Sequence, residues 1–255
     1  MHTSGSTGGS DLDKQLLYLD NQFQLQANCL ILGYAEDDGR QFLVLDRTPY
    51  YPKRGGQPSD TGKLEGEGFI FDIESVVIKD AQVLHFGRLE GRLPNVGETV
   101  KAVVDRRVRE LHSRWHSAGE AVIVAAKMAG FDEEIIAAIH YGPNQNRIEY
   151  RKRLTTDEAA NLQLAIQENL DTIGRDDTSV EILNLSRVED VERNCGFIPD
   201  YIPSGASVRV VKIRPDFTGR PCTGTHLAKT SSLGTVAIEK VRNKGDRLII
   251  SYDCR

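Results

Sequence analysis

Residues 100–130, VKAVVDRRVRELHSRWHSAGEAVIVAAKMAG, contain the change from strand to helix that decides the predicted fold. VKAVV is rich in the β-branched residues typical of a strand. Asp105 follows at once and can cap a helix, which Gly130 would end. Apolar side chains recur at helical spacing along one stripe of this helix, at Val108, Leu111, Trp115, Ala118 and Val122.

The chain before this helix is predicted to be a small, barrel-like β domain. It contains five short apolar runs separated by turn residues, namely FQLQANCLIL, QFLVLD, GFIFDI, AQVLHF and VKAVV. We set the limits of this domain at residues 20–105. Residues 1–19, which begin with the Ser/Gly/Thr-rich MHTSGSTGGS, are expected to form a flexible tail.

The chain after residue 105 mixes further helices with strands. Thr155 and Glu158 have the spacing of a capping box, and so do Ser186 and Glu189, whose helix would end at Gly196. Strands are predicted at VEILNL, SVRVVKI, TVAIEKV and RLIISY. The predicted fold class is therefore α+β, with the barrel-like domain followed by an α+β domain over residues 106–255.

Composition excludes several classes of protein. The 255 residues are 39% hydrophobic and 27% charged, with a formal net charge of −5, which excludes a protein that is basic overall. No apolar run approaches the ~18 residues that a membrane span needs, so we expect no membrane partner. The four cysteines are scattered and follow no hydrophobic signal sequence. We therefore expect a cytoplasmic protein whose cysteines are free thiols or metal ligands.

Two pairs of side chains have the spacing of metal ligands. His112 and His116 lie four residues apart on the predicted helix, so both imidazoles project from one face. Cys222 and His226, in the turn RPCTGTHL, add a thiol and a third imidazole. Either pair alone is more typical of a bland alternative, namely hydrogen-bonded histidines for the first pair and a turn with a buried thiol for the second. Together, three nitrogens and one sulfur form a ligand set suited to tetrahedral zinc.

A third segment, TPYYPKRGGQPSDTG at residues 48–62, has the composition of a ligand-binding loop. Gly55 and Gly56 let the backbone approach a ligand closely, and the amide of Gln57 can donate or accept a hydrogen bond. The alternative is a connecting loop in which Pro and Gly merely set turns between strands.

These three segments, read as T-x-Y-Y-P-x-x-G-G-Q-x-x-D-x-G, H-x-x-x-H and C-x-G-T-H, resemble the editing domain of alanyl-tRNA synthetase. More closely, they resemble the free-standing AlaX-type trans-editing proteins, and the similarity covers roughly residues 20–255. The resemblance implies a zinc-dependent deacylase that hydrolyses mischarged aminoacyl-tRNA, with Ser-tRNA(Ala) and then Gly-tRNA(Ala) as substrates. It implies that residues 106–255 form the editing domain. It also implies that zinc is held by His112, His116, Cys222 and His226.

The resemblance suggests which residues contact the substrate. The candidates are Gln57, Gly55, Gly56 and Thr48. One departure concerns the helix, because the family commonly reads H-T-A-x-H where this chain has His112-Ser-Arg-Trp-His116. Glu120 lies one turn further along the same face. It is either a polar residue near the surface or a residue that supports the metal or transfers a proton.

A tRNA partner would need local positive charge in a chain of net charge −5. Two clusters are candidates, the first at Arg106, Arg107, Arg109 and Arg114, and the second at Arg147, Arg151, Lys152 and Arg153. Each cluster either contacts phosphates or forms a solvated face. Two other functions suit the same residues: a non-catalytic, zinc-containing module that binds tRNA or another partner, and a small-molecule metallohydrolase on the same fold.

Overall fold

A computed structural model describes residues 12–198 and 207–254, which form an α+β fold. Its first part is a closed antiparallel barrel with the strand order β1-β2-β5-β4-β3-β6. The strands are β1 Gln26–Asp37, β2 Arg40–Leu45, β3 Gly62–Gly66, β4 Phe69–Lys79, β5 Gln82–Gly91 and β6 Thr99–Val104. The barrel closes because β1 pairs with β2 along one edge and with β6 along the other. The predicted α+β class with an N-terminal barrel is confirmed.

The barrel interior is filled by alternate residues of its strands. Phe69, Phe71 and Ile73 of β4 are buried, whereas the residues between them are exposed, as the pleat of a strand requires. Residues 1–11 of the expected flexible tail lie outside the described part of the chain. The expectation is wrong for residues 12–19, because Leu16 and Tyr18 are fully buried against the barrel core.

The N-terminal segment folds before the barrel begins. It forms a 3-10 helix at Asp13–Gln15 and a short helix α1 at Leu17–Asp20. The backbone N–H of Leu17 donates to Thr48 O at 3.0 Å, and the N–H of Thr48 donates to Gln15 O at 2.8 Å, so this segment is tied to the loop after β2. The side chains that anchor it, Leu16 and Tyr18, belong to the apolar run LLYL at residues 16–19, which differs in composition from the Ser/Gly/Thr-rich residues before it.

The second part of the chain packs long helices against two antiparallel sheets. The helices are α2 Arg106–Met128, α3 Thr156–Arg175 and α4 Val188–Cys195, with a 3-10 helix at Thr230–Leu233. One sheet has the order β12-β13-β8-β7 and the other the order β11-β10-β9. The strands are β7 Ile135–Ile139, β8 Arg147–Tyr150, β9 Glu181–Leu185, β10 Val208–Lys212, β11 Arg220–Pro221, β12 Val236–Lys244 and β13 Arg247–Cys254. No helix in the described ranges is both long and apolar enough to span a membrane.

The helix ends follow from their capping residues. Asp105 caps α2 by accepting hydrogen bonds from the next backbone N–H groups, and Thr155 with Glu158 forms the predicted capping box of α3. The predicted start of α4 is wrong by one residue. Arg187 precedes that helix, and Ser186 makes no cap hydrogen bond there.

An arginine joins α2 to the barrel. The guanidinium of Arg109 is 3% exposed and holds the carboxylate of Asp60, which is fully buried, with Nε 2.9 Å from Oδ2. The same guanidinium donates to the carbonyl oxygens of Gln22 at 2.6 Å and Pro49 at 2.7 Å. A buried ion pair needs such additional hydrogen bonds because both charges have lost their water. The pair therefore fixes the start of α2 against the barrel loops.

Strand β12 is an edge strand whose free side faces α3. The Gln167 side chain donates to Val236 O at 3.0 Å and accepts from the N–H of Ile238 at 2.9 Å. The Gln163 side chain donates to Ile238 O at 3.3 Å and accepts from the N–H of Val241 at 3.2 Å. Two side-chain amides of α3 thus form hydrogen bonds with backbone groups of β12 on the side away from β13.

Candidate metal centre

Three metal-binding side chains meet where α2 contacts the loop after β11. They are His116 of α2 and Cys222 and His226 of that loop, and their ligand atoms all lie within 4.8 Å of one another. Cys222 Sγ is 3.4 Å from His116 Nε2 and 3.3 Å from His226 Nε2. Both histidines are buried, and the thiol is partly accessible.

Helix α2 forms one wall of this centre with a single stripe of polar residues. Ser113 and Ser117 are four residues apart, as are His116 and Glu120, so all four residues share one face, and all four are buried. The loop approaches this face very closely at Gly224, where a Cβ atom would lie 2.1 Å from His116 Cε1. Only a residue without a side chain allows that approach.

The amide of Gln57, in the barrel loop, determines which nitrogen of His116 is free. Gln57 Oε1 accepts from the N–H of Thr225 at 3.1 Å, and its Nε2 donates to the Thr225 hydroxyl at 2.9 Å, which fixes the amide orientation. The same Oε1 lies 2.7 Å from His116 Nδ1. Because this oxygen can only accept, Nδ1 carries the proton and the Nε2 lone pair faces Cys222. Gln57 is fully buried, so its contacts are with the protein.

His226 is held in a matching way. Its Nδ1 lies 3.2 Å from the Ser117 hydroxyl, which also accepts from the N–H of Leu227 at 3.0 Å. The backbone N–H of His226 donates to Gln22 Oε1 at 2.8 Å. Donation from Nδ1 to Ser117 leaves His226 Nε2 free to bind a metal.

Burial controls the protonation of all three side chains. Desolvation lowers the pKa of His116 and His226 well below the usual range of histidine, and neighbouring cationic groups lower both further. Desolvation, reinforced by the carboxylate of Glu120, raises the pKa of Cys222 to about 12. The imidazoles are therefore neutral. The thiol gives up its proton only to a strong competitor such as a metal ion.

The donor set and its spacing fit zinc. Zn–S bonds of about 2.3 Å and Zn–N bonds of about 2.0–2.1 Å at tetrahedral angles place sulfur and nitrogen about 3.5 Å apart. The separations of 3.4 and 3.3 Å match this value closely. Two imidazoles with supported Nδ1 atoms and one thiol are also ligand types that zinc prefers. His116, Cys222 and His226 would therefore hold the ion.

His112 and Glu120 both lie outside this group of three donors. The His112 ring packs against Trp115, with ring centroids 5.3 Å apart, and its buried Nδ1 has no hydrogen-bond partner in the described part of the chain. Glu120 is buried one turn beyond His116, and its Oε2 is 3.6 Å from Nε of Arg220. The structure thus brings together three of the four predicted ligands, with Glu120 beside them.

The other predicted site residues belong to the barrel side. The Thr48 hydroxyl is 2.8 Å from His85 Nε2 and accepts from the N–H of Tyr50 at 3.2 Å, so its partners lie within the barrel domain. Gly56 has a positive φ of 76°, and a Cβ there would lie 2.1 Å from Ala138 O. Gly55 also has a positive φ, of 54°, but a Cβ there would meet only the Tyr51 hydroxyl, at an ordinary contact distance of 3.8 Å. The two glycines shape the loop that delivers Gln57.

Two residues at the centre, His140 and Gln22, were not predicted from the sequence. His140 stacks on His116 with ring centroids 4.6 Å apart, and its Nδ1 is 2.5 Å from the Tyr252 hydroxyl. Burial lowers the pKa of His140 to about 3, so it is neutral. Gln22 supports His226, as described above. Neither residue belongs to a spaced motif, so only the fold reveals them.

Comparison with known proteins relates the chain to one family of enzymes. Residues 23–108 match the family model described as tRNA synthetases class II (A). The alanine–tRNA ligase of Methanobrevibacter smithii is 31% identical over 237 residues, which is 91% of this chain and 26% of the ligase. Over about nine-tenths of its length the chain is similar to a part of the alanyl-tRNA synthetases. The resemblance drawn from the three motifs is confirmed at this level.

Two further alanine–tRNA ligases match the chain over a similar extent. The alanine–tRNA ligase of Korarchaeum cryptofilum is 30% identical over 244 residues, covering 92% of the chain and 25% of the ligase. That of Halobacterium salinarum is 29% identical over 260 residues, covering 96% and 27%. The chain therefore spans about a quarter of the length of the curated relatives it matches.

Acidic neighbours neutralise most of the charge in the two basic clusters that the sequence predicts. Arg109 is committed to Asp60 inside the protein, so it is not available to a phosphate. In the second cluster Arg147, Arg151 and Lys152 form ion pairs with Glu149, Glu134 and Glu133, respectively. Arg106, which pairs with Glu110 at 3.3 Å, and Arg114 both lie beside a cavity of about 320 Å³. The residues around this cavity include Gln22, Phe23, Arg106, Ser113, Arg114 and His226.

Proposed function

We propose that this chain is a zinc-dependent deacylase that acts in trans on mischarged aminoacyl-tRNA, with Ser-tRNA(Ala) as first substrate and Gly-tRNA(Ala) as second. The observation that carries the proposal is the buried group of His116, Cys222 and His226, whose orientation is fixed by groups from three segments of the chain. The relationship to alanine–tRNA ligases over 91% of the chain supports tRNA as the partner.

Different residues of the chain would have different roles in this reaction. Zinc, when bound, would supply a Lewis acid that polarises the ester carbonyl or activates water, once its coordination expands or one protein ligand gives way. Gln57 holds His116, and Ser117 with Gln22 holds His226, so the metal site is built before the substrate arrives. An aminoacyl ester is an activated acyl group, and a preorganised site of this kind is sufficient to hydrolyse it.

The cavity beside His226 is the place that we assign to the tRNA 3′ end. Arg106 and Arg114 at its side can contact phosphates, and Phe23, which is 61% exposed, offers a surface on which a base can stack. His226 and Ser113 line the same cavity. A terminal nucleotide bound there would present its ester next to the metal site.

Selection among amino acids then corrects what a synthetase pocket cannot reject. A pocket sized for alanine cannot fully exclude glycine, and serine adds only one hydroxyl group. A second site with different contacts can hydrolyse the wrong ester and spare the correct one. This logic makes seryl and glycyl esters on alanine tRNA the expected substrates.

Deacylation of a small panel tests the proposal. We expect the zinc-loaded protein to hydrolyse Ser-tRNA(Ala) and Gly-tRNA(Ala) and to spare Ala-tRNA(Ala), with Ser- and Ala-charged noncognate tRNAs for comparison. Cys222→Ala should lower the rate by more than ~100-fold, beyond the loss typical of a residue that only supports a ligand. Cys29→Ala, at a buried thiol in the barrel, is the matched control and should leave the rate unchanged.

Two outcomes would replace the proposal. A metal-loaded protein that binds tRNA but hydrolyses no member of the panel would be a binding module. Hydrolysis of small esters that excess uncharged tRNA does not inhibit would instead indicate a small-molecule metallohydrolase.

A further inference from the structure

Three donors leave one position of a tetrahedral metal site without a protein ligand. The set of two imidazoles and one thiol is shared by sites that keep the fourth position open and by sites that fill it with a carboxylate or a third imidazole. Side chains that could fill it must be buried, near the cluster, and not already committed to another partner. In the described ranges the candidates beside the cluster are Glu120, His140 and His112.

Glu120 satisfies all three conditions. It follows His116 by one helical turn, so the two side chains project from the same face of α2. It is 7% exposed, yet no hydrogen bond reaches its carboxylate from the described part of the chain. The ion pair with Arg220, whose Nε is 3.6 Å from the carboxylate, is too long for a hydrogen bond. A buried carboxylate in this state costs free energy unless a cation completes its surroundings.

The two histidines are less suitable. His140 stacks nearly parallel to His116, at an interplanar angle of 22°, so the in-plane lone pairs of the two rings do not converge on one ion. Its Nδ1 is already engaged by Tyr252. His112 lies one turn before His116, on the side away from Glu120, with its ring against Trp115. His112 Nδ1 has no hydrogen-bond partner in the described residues, but neither ring belongs to the group of converging donor atoms.

The charges around the cluster also favour a carboxylate. Arg209, which is 8% exposed, donates to the carbonyl of Cys222 at 2.7 Å, and Arg220 lies beside Glu120. A divalent ion with one thiolate and neutral imidazoles would carry a net charge of +1 next to two guanidinium groups. A second anionic ligand makes the centre neutral and removes that repulsion. Burial raises the pKa of Glu120, which is the cost that a bound cation would offset.

We propose that Glu120 is the fourth protein ligand of the metal centre, which makes the donor set two imidazoles, one thiolate and one carboxylate. The inference rests on the metal-binding part of the proposed function and not on the deacylase activity. The carboxylate lies outside the group of three donor atoms in the structure, and its loose contact with Arg220 leaves it free to turn toward the ion.

Metal binding measured with zinc and cobalt alone tests this assignment. X-ray absorption of the zinc-loaded full chain should give one sulfur and two imidazoles, with a further oxygen. Glu120→Ala should raise the zinc dissociation constant by more than ~100-fold, beyond the effect of a supporting residue. His112→Ala removes an imidazole from the same helix and is the matched control; it should leave both the affinity and the imidazole count unchanged.

A rescue variant separates ligation from a general loss of structure. Glu120→His should bind zinc with three imidazoles, whereas Glu120→Gln should bind it weakly although it is closer to glutamate in shape. Three imidazole ligands of zinc in the unaltered chain, or loss of zinc binding in His112→Ala, would overturn the assignment of Glu120. Either result would still be consistent with a metal centre at this place. A chain that takes up neither zinc nor cobalt would remove the metal centre itself. Zinc binding through Glu120 in a protein that hydrolyses no aminoacyl-tRNA would leave the assignment intact and refute only the deacylase.

Discussion

At the scale of single residues, the role of Gln57 depends on burial and not on residue type. A glutamine after two glycines is equally suited to bind a substrate or to bind another side chain. In the structure its amide makes three hydrogen bonds, all to His116 and Thr225. It therefore acts on the metal site by positioning a ligand.

Replacement of Gln57 tests this positioning role. Gln57→Ala should raise the zinc dissociation constant by roughly 10–100-fold, because His116 loses the partner that holds its tautomer. A competition titration against a chelator measures this constant. Gln167→Ala is the control, since Gln167 also makes three side-chain hydrogen bonds but lies on α3; it should lose stability and keep zinc. Equal zinc affinity in Gln57→Ala and the unaltered chain would contradict the positioning role.

At the scale of elements, the loop that carries Gln57 is held by one close contact. Both Gly55 and Gly56 have positive φ, so alanine costs about 1–2 kcal/mol at either position. Only at Gly56 would the new Cβ also meet a backbone oxygen, Ala138 O, at 2.1 Å. That oxygen cannot move without shifting the segment that leads to His140, whose N–H donates to Gly56 O at 2.8 Å.

The pair of glycine variants therefore separates conformational strain from collision. Gly55→Ala should lower the free energy of unfolding by about 1–2 kcal/mol and keep zinc binding. Gly56→Ala should cost clearly more and weaken zinc binding as well, because the loop must move away and take Gln57 with it. Urea unfolding and zinc titration of the two variants measure both effects. Identical losses in the two variants would show that the contact with Ala138 does not matter.

The elements themselves were predictable wherever their apolar pattern is strong. The five barrel strands with long apolar runs and the helices after Asp105 and Thr155 were all predicted. Strand β3, GKLEG, was missed because it has one apolar side chain, and it is held in place by the neighbours β4 and β6. Strands β7 and β8 were missed because they are short, and β8 gains its register from β13 and β7 from β8.

The metal site was predictable in its chemistry but not in its position along the helix. Spacings of four residues recur on any helical face, so His112 with His116 and His116 with Glu120 are geometrically equivalent pairs. The pattern H-T-A-x-H can also be read as His116-Ser-Ala-Gly-Glu120, with a carboxylate at its end. The choice depends on which turn of α2 meets the loop of Cys222, and that contact is long-range in sequence.

At the scale of the whole molecule, buried histidines make the fold sensitive to acid. Every histidine in residues 12–198 and 207–254 has a lowered pKa, with burial as the first cause. His85, inside the barrel, has its pKa lowered to about 4 and binds Thr48 and Leu43 O in its neutral form. The unfolded chain takes up protons at a higher pH than the folded one. The stability is therefore complete above about pH 6.5 and falls as the pH drops toward 4.

Replacement of His85 should remove a defined part of this dependence of stability on pH. Between pH 7 and pH 4 its contribution to the free energy of unfolding falls by about 3 kcal/mol. His85→Gln should be less stable than the unaltered chain at pH 7, since it loses the fit to Thr48, and should show a shallower decline toward pH 4. Urea unfolding at several pH values measures the difference. Parallel pH profiles would mean that the pKa of His85 is not lowered in the folded barrel.

The glutamines of α3 have a consequence for the behaviour of this protein at high concentration. An uncovered edge strand presents a ladder of free donors and acceptors on which a second copy can add its own strand, and such pairing leads to domain swapping and fibrils. Along β12 that ladder is partly filled by Gln163 and Gln167, whose side-chain amides imitate a neighbouring backbone. The hydrophobic segment of β12 is thus protected from intermolecular pairing by side chains of the same molecule.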